Sequence, residues 1–246
     1  MAPEQTFWFA TILNRLLGAP VTHLLVKLGF PPADPLHPIP NYDASAILVL
    51  LLIFAGLAIL RQRLSVENPG KFQQSMEVAI EFMQNLTDDT IGHGGRRYLP
   101  LIGTLGIFIV ISNLLGLIPV MDTPTAHIQV PAGCAVVAFL YYNFHGLRAH
   151  GFFGYLKHLS GPIAVLALPI FVIEVFSNVL RLLSLSVRLW ANMFVGGLVE
   201  KVFTGLIPLV VPSLFLALHV FESFLQAYIF MVLPAVYISL AISKEH

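Results

Sequence analysis

Residues 170–200 read IFVIEVFSNVLRLLSLSVRLWANMFVGGLVE. No proline or glycine interrupts residues 170–195, so one helix is expected, and the apolar stretch from Gly161 to Glu200 would be roughly 60 Å long as helix. A hydrocarbon core about 30 Å thick needs half of that for a perpendicular crossing. The excess predicts a strongly tilted span. Three charges lie inside it, ahead of Glu200 at its end. Helical residues advance by about 100° each, so Glu174, Arg181 and Arg188, spaced by seven, fall within about 40° of one another on one face. Asn178, Ser184 and Asn192 join them. Glu174 and Arg188 are then about 21 Å apart along the axis, which makes a polar track and not a single pocket. An arginine near the bilayer centre costs about 2.5–3.5 kcal/mol on insertion scales unless it faces water or an anion. Its guanidinium stays protonated, so Arg188 can hold or displace a carboxylate but cannot relay a proton.

Working outward, residues 206–243 repeat the long apolar pattern, with Pro208, Pro212 and Pro234 as points of bending. This last span carries a second polar stripe: His219, Glu222 and Gln226 stand at i, i+3 and i+7, and Tyr237 returns to the same face. Earlier spans are expected over residues 44–61, 98–120 and 130–148, so the five crossings cover 44–61, 98–120, 130–148, 161–200 and 206–243 of a membrane domain spanning 44–246. Between the first two, Met76, Ala79, Ile80 and Met83 recur at helical spacing beside acidic residues, which predicts an amphipathic surface helix over about 70–91. Residues 1–43 form an N-terminal segment with a short interfacial helix over 6–18 and a proline-rich loop, PPADPLHPIPNYD, over 31–43. No basic region precedes a compact apolar core, so no cleaved signal is expected.

With 57% hydrophobic and 11% charged residues and a mean hydropathy of +0.83, the chain falls outside the range of soluble domains. The fold class is an all-α integral membrane protein with five crossing helices plus the amphipathic one, the last two crossings long and tilted. Zero formal net charge argues against a nucleic-acid partner. The lone Cys134 leaves no disulfide framework or cysteine cluster. His219 and Glu222 are a fragment of metal-ligand spacing without a second pair, so no metal or cofactor site is expected. Arg61, Arg63, Lys71, Arg96, Arg97, Arg148, Lys157 and Lys244 fall on one side of the bilayer. Arg15, Lys27 and Lys201 fall on the other. By the positive-inside rule the C-terminus is cytoplasmic and the N-terminus is not.

The run LLSLSVRLWANMFVGGLVEKVF, with ESFLQAYIFMVLPAVYISLAISKEH at the end and PGKFQ and NLLGLIP upstream, resembles subunit a of the bacterial rotary F-type ATP synthase. The resemblance covers most of residues 41–246. It implies a stator that is not catalytic alone but carries protons past a rotating ring of hairpin c subunits through two offset half-channels. Peripheral-stalk subunit b and the remainder of the complex would be its other partners, the proton its cargo and the bacterial inner membrane its location. Arg188 matches the arginine that attracts each deprotonated ring carboxylate, Gln226 the glutamine supporting it, and Asn192 the asparagine one turn beyond. His219 matches a histidine of the non-cytoplasmic access channel, with Glu222 as partner. Glu174 matches an acidic residue of the cytoplasmic channel.

Two departures stand out. Many bacterial members carry a glutamate nine residues after the arginine, where this chain has Gly197, and Glu222 is expected to supply that carboxylate from the facing helix. In the loop after the second span, PTAHIQ replaces an acidic position, which makes His127 an access-channel candidate. Arg181 reads equally as a snorkelling cation or a functional one. Asn113 reads equally as a channel-lining residue or an interhelical bond. A secondary transporter would show paired broken helices in two repeats, which are absent from the sequence. A membrane-embedded enzyme would need convergent catalytic groups where this chain has tracks.

Overall fold

The computed structural model of the chain describes residues 7–27, 29, 34, 37–62, 64–65, 69–92, 94–118, 121–160, 167–204 and 210–243. Among these the regular structure is helical. The helices are α1 (Trp8–Lys27), α2 (Asn41–Gln62), α3 (Lys71–Ile91), α4 (Leu99–Leu115), α5 (Gln129–Ser160), α6 (Ala167–Thr204) and α7 (Val210–Ile242), with short 3-10 turns at Gly95–Arg97 and Pro124–Ala126.

Among the described residues five helical stretches are long and apolar enough to cross a bilayer: Trp8–Lys27, Asn41–Gln62, Gln129–Tyr155, Leu168–Glu200 and Ser213–Ile242. The expected membership differs at two places. The N-terminal helix, expected over 6–18, runs on through Pro20 to Lys27, because Val21, Leu24, Leu25 and Val26 continue an apolar helical pattern and the Thr22 hydroxyl bonds the Gly18 carbonyl at 2.8 Å. The span expected over 98–120 stops at Leu115, 17 residues long. Hydropathy persists beyond it, but Gly116 opens a series of tight turns in which the Gly116, Leu117 and Ile118 amides bond the carbonyls of Asn113, Leu114 and Leu115. Pro119 in the sequence then disfavours further helix.

Helix α5 also departs from expectation. It does not end at Arg148 but continues to Ser160 across a break at Gly151, whose φ of 71° lies in the left-handed region that glycine adopts without strain. Residues 161–166 and 205–209, expected at the starts of the last two spans, lie outside the described residues. Helix α6 is 38 residues, about 57 Å, and α7 is 33 residues, about 50 Å; both exceed the thickness of a hydrocarbon core.

The short α4 lies innermost, with Ile102, Gly103, Leu105, Gly106, Ile109, Ser112 and Asn113 buried. Beside a cluster of Phe7, Ala10, Leu13, Ile39 and Ala44 that joins α1 to α2, two apolar clusters hold the rest of the bundle among the described residues. One joins Met83 and Leu86 of α3, Ile102 of α4, Tyr142 of α5 and Met231, Ala235 and Ile238 of α7. The other joins Ile109 of α4, Ala135 of α5, Leu185, Leu189 and Met193 of α6, and Ala227 and Phe230 of α7. The amphipathic α3 thus packs Met83 and Leu86 inward against α4 and α7, while Met76 and Ala79 are half-buried and Ile80 is exposed. This arrangement fixes α6 and α7 side by side, which is what positions the polar groups.

Candidate functional site

Three contacts set the antiparallel register of α6 and α7. The Arg181 guanidinium stands 5.3 Å from the Tyr237 ring centre. Leu185 and Leu189 pack in one cluster with Ala227 and Phe230. A Cβ at Gly196 would lie 3.5 Å from Glu222 Oε2 and 3.9 Å from His219 Nδ1. By interpolation Gln226 falls level with Asn192, one turn from Arg188. The dry middle cluster thus separates two polar groups of opposite location.

The first group gathers at the N-terminal end of α6. Arg181 Nη2 donates to Glu174 Oε1 at 3.1 Å and Nη1 to Asn178 Oδ1 at 3.3 Å. The same Asn178 oxygen accepts from the Tyr142 hydroxyl at 3.0 Å. Next to it, Tyr155 donates to Asn143 Oδ1 at 2.8 Å across the break in α5. Spacing alone put Glu174, Asn178 and Arg181 on one stripe. That Arg181 is an ion-paired and ring-stacked residue, and that Tyr142, Asn143, Tyr155 and Tyr237 belong to the cluster, was not anticipated. The polar triplet Tyr141-Tyr142-Asn143 inside an apolar run was the signal available in the sequence.

Arg188 stands apart from this group. It is exposed, and among the described residues it makes no hydrogen bond or ion pair. It shares an open face of α6 with Leu180, Ser184, Val187 and Val195, all exposed, and with the half-exposed Ala191. Small and aliphatic neighbours flank it, and none carries a counter-charge. Neither Glu174 nor Glu222 bonds it: the first is held by Arg181 and the second lies beside Gly196, two turns further along. Gln226 is 2% exposed and its Oε1 has no partner, so the structure does not join it to Arg188. Asn192 is half-buried on the same side.

The second group lies at the other end. His219 is buried with Nε2 unpartnered, while Ser223 donates its hydroxyl to the His219 carbonyl at 2.7 Å. Glu222 is half-buried next to it. Gly196 faces both side chains at a distance where a Cβ would just touch them, whereas a Cβ at Gly197 would meet nothing within 4 Å. In the loop before α5, His127 Nε2 lies 2.9 Å from Asp122 Oδ2 and its ring stacks on Tyr42 at 4.4 Å. Thr125 donates to Asn113 Oδ1, leaving the fully buried Asn113 Nδ2 without a partner. Asp122, Thr125 and Tyr42 were not singled out by the sequence reading.

A family profile described as ATP synthase A chain matches residues 44–239, the whole stretch that carries both polar groups and the open arginine. The chain belongs to that family. It is 44% identical over 244 residues to the ATP synthase subunit a of Koribacter versatilis (strain Ellin345), covering 99% of each chain. With that of Solibacter usitatus (strain Ellin6076) it shares 45% over 210 residues, 85% of this chain and 90% of the relative. With that of Geotalea uraniireducens (strain Rf4) it shares 42% over 217 residues, 87% and 93% respectively. As a member of the ATP synthase A chain family it is a multi-pass membrane subunit of the proton-translocating sector of an ATP synthase.

Proposed function

We propose that this chain is the stator past which a ring of carboxylate-bearing c subunits turns, and that Arg188 is the cation each ring carboxylate meets in passing. The observation that carries this reading is the open face of α6, where a guanidinium without any hydrogen-bond or ion-pair partner among the described residues stands among small and apolar ones. A cation in that position needs an anion from outside the chain. The polar groups at the two ends then serve as half-channels. His219 and Glu222, with Asn192 and Gln226 deeper in, form the non-cytoplasmic access path. Glu174, Asn178 and Ser184 line the cytoplasmic one. The buried polar atoms without protein partners, Gln226 Oε1, His219 Nε2 and Asn113 Nδ2, are groups that water satisfies, as a proton path requires. The C-terminus is cytoplasmic and the N-terminus non-cytoplasmic, α6 and α7 lie oblique to follow the flank of the ring, and subunit b contacts the chain away from that face.

The open face offers a direct test. With Cys134 replaced by serine, a cysteine at Val187 is expected to form a disulfide with a cysteine placed in the outer helix of the ring subunit, whereas a cysteine at the buried Leu189 is not. No cross-link from Val187 would refute the docking. The access path gives a second prediction. Glu222→Gln is expected to lower proton-driven ATP synthesis in membrane vesicles by about tenfold, less than the roughly hundredfold or greater contribution of a lone general acid–base group, because His219 remains beside it. Unaltered synthesis would remove Glu222 from the path.

A further inference from the structure

Two arginines stand on one stripe of α6, seven residues and about 10 Å apart, and only one of them is open. Arg181 is tied on three sides: by the Glu174 carboxylate, by Asn178, whose oxygen is itself fixed by the Tyr142 hydroxyl, and by the face of Tyr237. These partners come from α5, α6 and α7, so the guanidinium is held by the bundle and not by its own helix alone. Side chains on a helix lean toward its N-terminus, which carries Arg181 toward Glu174.

The geometry points to Glu174 as a charge mask for Arg181: its carboxylate holds the second guanidinium away from passing ring carboxylates, so that Arg188 is the single cation they meet. The inference rests on the stator reading above and assigns Glu174 a role other than proton transfer. A free Arg181 would stand one contact further along the cytoplasmic side of the same face. A carboxylate leaving Arg188 would be captured there as an ion pair at the point where it has to exchange its proton and move on. Glu174 is a positioning residue in this scheme, acting through Arg181.

The test uses the whole ATP synthase in inverted membrane vesicles, with assembly checked by copurification of the ring. Glu174→Gln is expected to lower ATP-driven proton pumping about fivefold, a coupling of the size found between residues in direct contact. Adding Arg181→Leu to it is expected to restore pumping to within about twofold of the Arg181→Leu single variant. If the double variant stays as slow as Glu174→Gln, the carboxylate itself carries protons and the mask is refuted. Glu174→Asp separates the two roles in a second way, since it keeps a proton-carrying group but shortens the reach to Arg181. The mask predicts loss there, and full activity would overturn it. Labelling of the ring by a hydrophobic carbodiimide, which reacts with protonated carboxylates, is expected to slow in Glu174→Gln and recover in the double variant; unaltered labelling in Glu174→Gln would count against the mask. Arg188→Ala is measured in parallel. Retained coupling in that variant refutes the stator reading, whereas loss in Arg188→Ala together with failure of Arg181→Leu to rescue Glu174→Gln refutes the mask alone.

Discussion

Replacing Arg188 with alanine is expected to abolish proton-driven ATP synthesis in vesicles, by about a hundredfold or more, the scale on which loss of one preorganised charge contact falls. ATP hydrolysis by the detached catalytic sector should be unaffected. The structure makes this a clean experiment, because Arg188 contacts no polar group of its own chain among the described residues and its removal leaves no buried partner stranded. Folding and incorporation should therefore survive while coupling fails. Lysine is not expected to rescue it, since a compact ammonium lacks the planar fork that grips a carboxylate in two places. Synthesis retained in Arg188→Ala, in complexes shown to contain the ring, would refute the assignment.

The paired glycines supply the second large effect. Gly196 faces α7, where a Cβ would already stand 3.5 Å from Glu222 Oε2 and 3.9 Å from His219 Nδ1. The further carbons of a leucine must enter the space those two groups occupy, either displacing them or forcing the helices apart. Gly196→Leu is expected to cut proton-driven synthesis by about a hundredfold, the lower end of what general acid–base groups supply. Gly197 points to open space on the side of α6 about 180° from Arg188. Gly197→Ala should leave synthesis within about twofold, because nothing there is crowded and Arg188 faces the other way. Equal loss at the two positions, measured in the same vesicles, would show that the glycines act through general helix flexibility and not by seating His219 and Glu222.

Much of the fold was legible because membrane helices announce themselves by length. The absence of proline and glycine across residues 170–195 fixed α6 as one element, and Gly70 and Gly92 bracket α3 where its periodicity begins and ends. The errors came where one signal stood for two things. Hydropathy carried the second span to residue 120, although the backbone turns at Gly116. Arg148 was taken as the end of α5, but a charge ends the apolar part of a helix and not the helix, which runs on until Gly151 permits a break. At the candidate site, the 3.6-residue period put Glu174, Asn178, Arg181 and Arg188 on one stripe. It could not tell which of them the bundle would claim. That choice is tertiary: Tyr142 on α5 and Tyr237 on α7 meet the stripe at its lower end, while Arg188 is exposed and has no polar partner among the described residues.

The apolar cluster of Leu185, Leu189, Met193, Ala227 and Phe230, midway between the two polar groups, has an electrical consequence. A transmembrane voltage falls mainly across the least polarisable part of its path, and moving one elementary charge through it is worth about 2.3 kcal/mol per 100 mV. In the proposed stator, hydrated conduits reaching in from either side would compress most of that drop into the few ångströms beside Arg188. The cluster would then act as the dielectric of a small capacitor, and the proposed ring would feel the membrane potential as a sideways force at the one level where its carboxylate is charged.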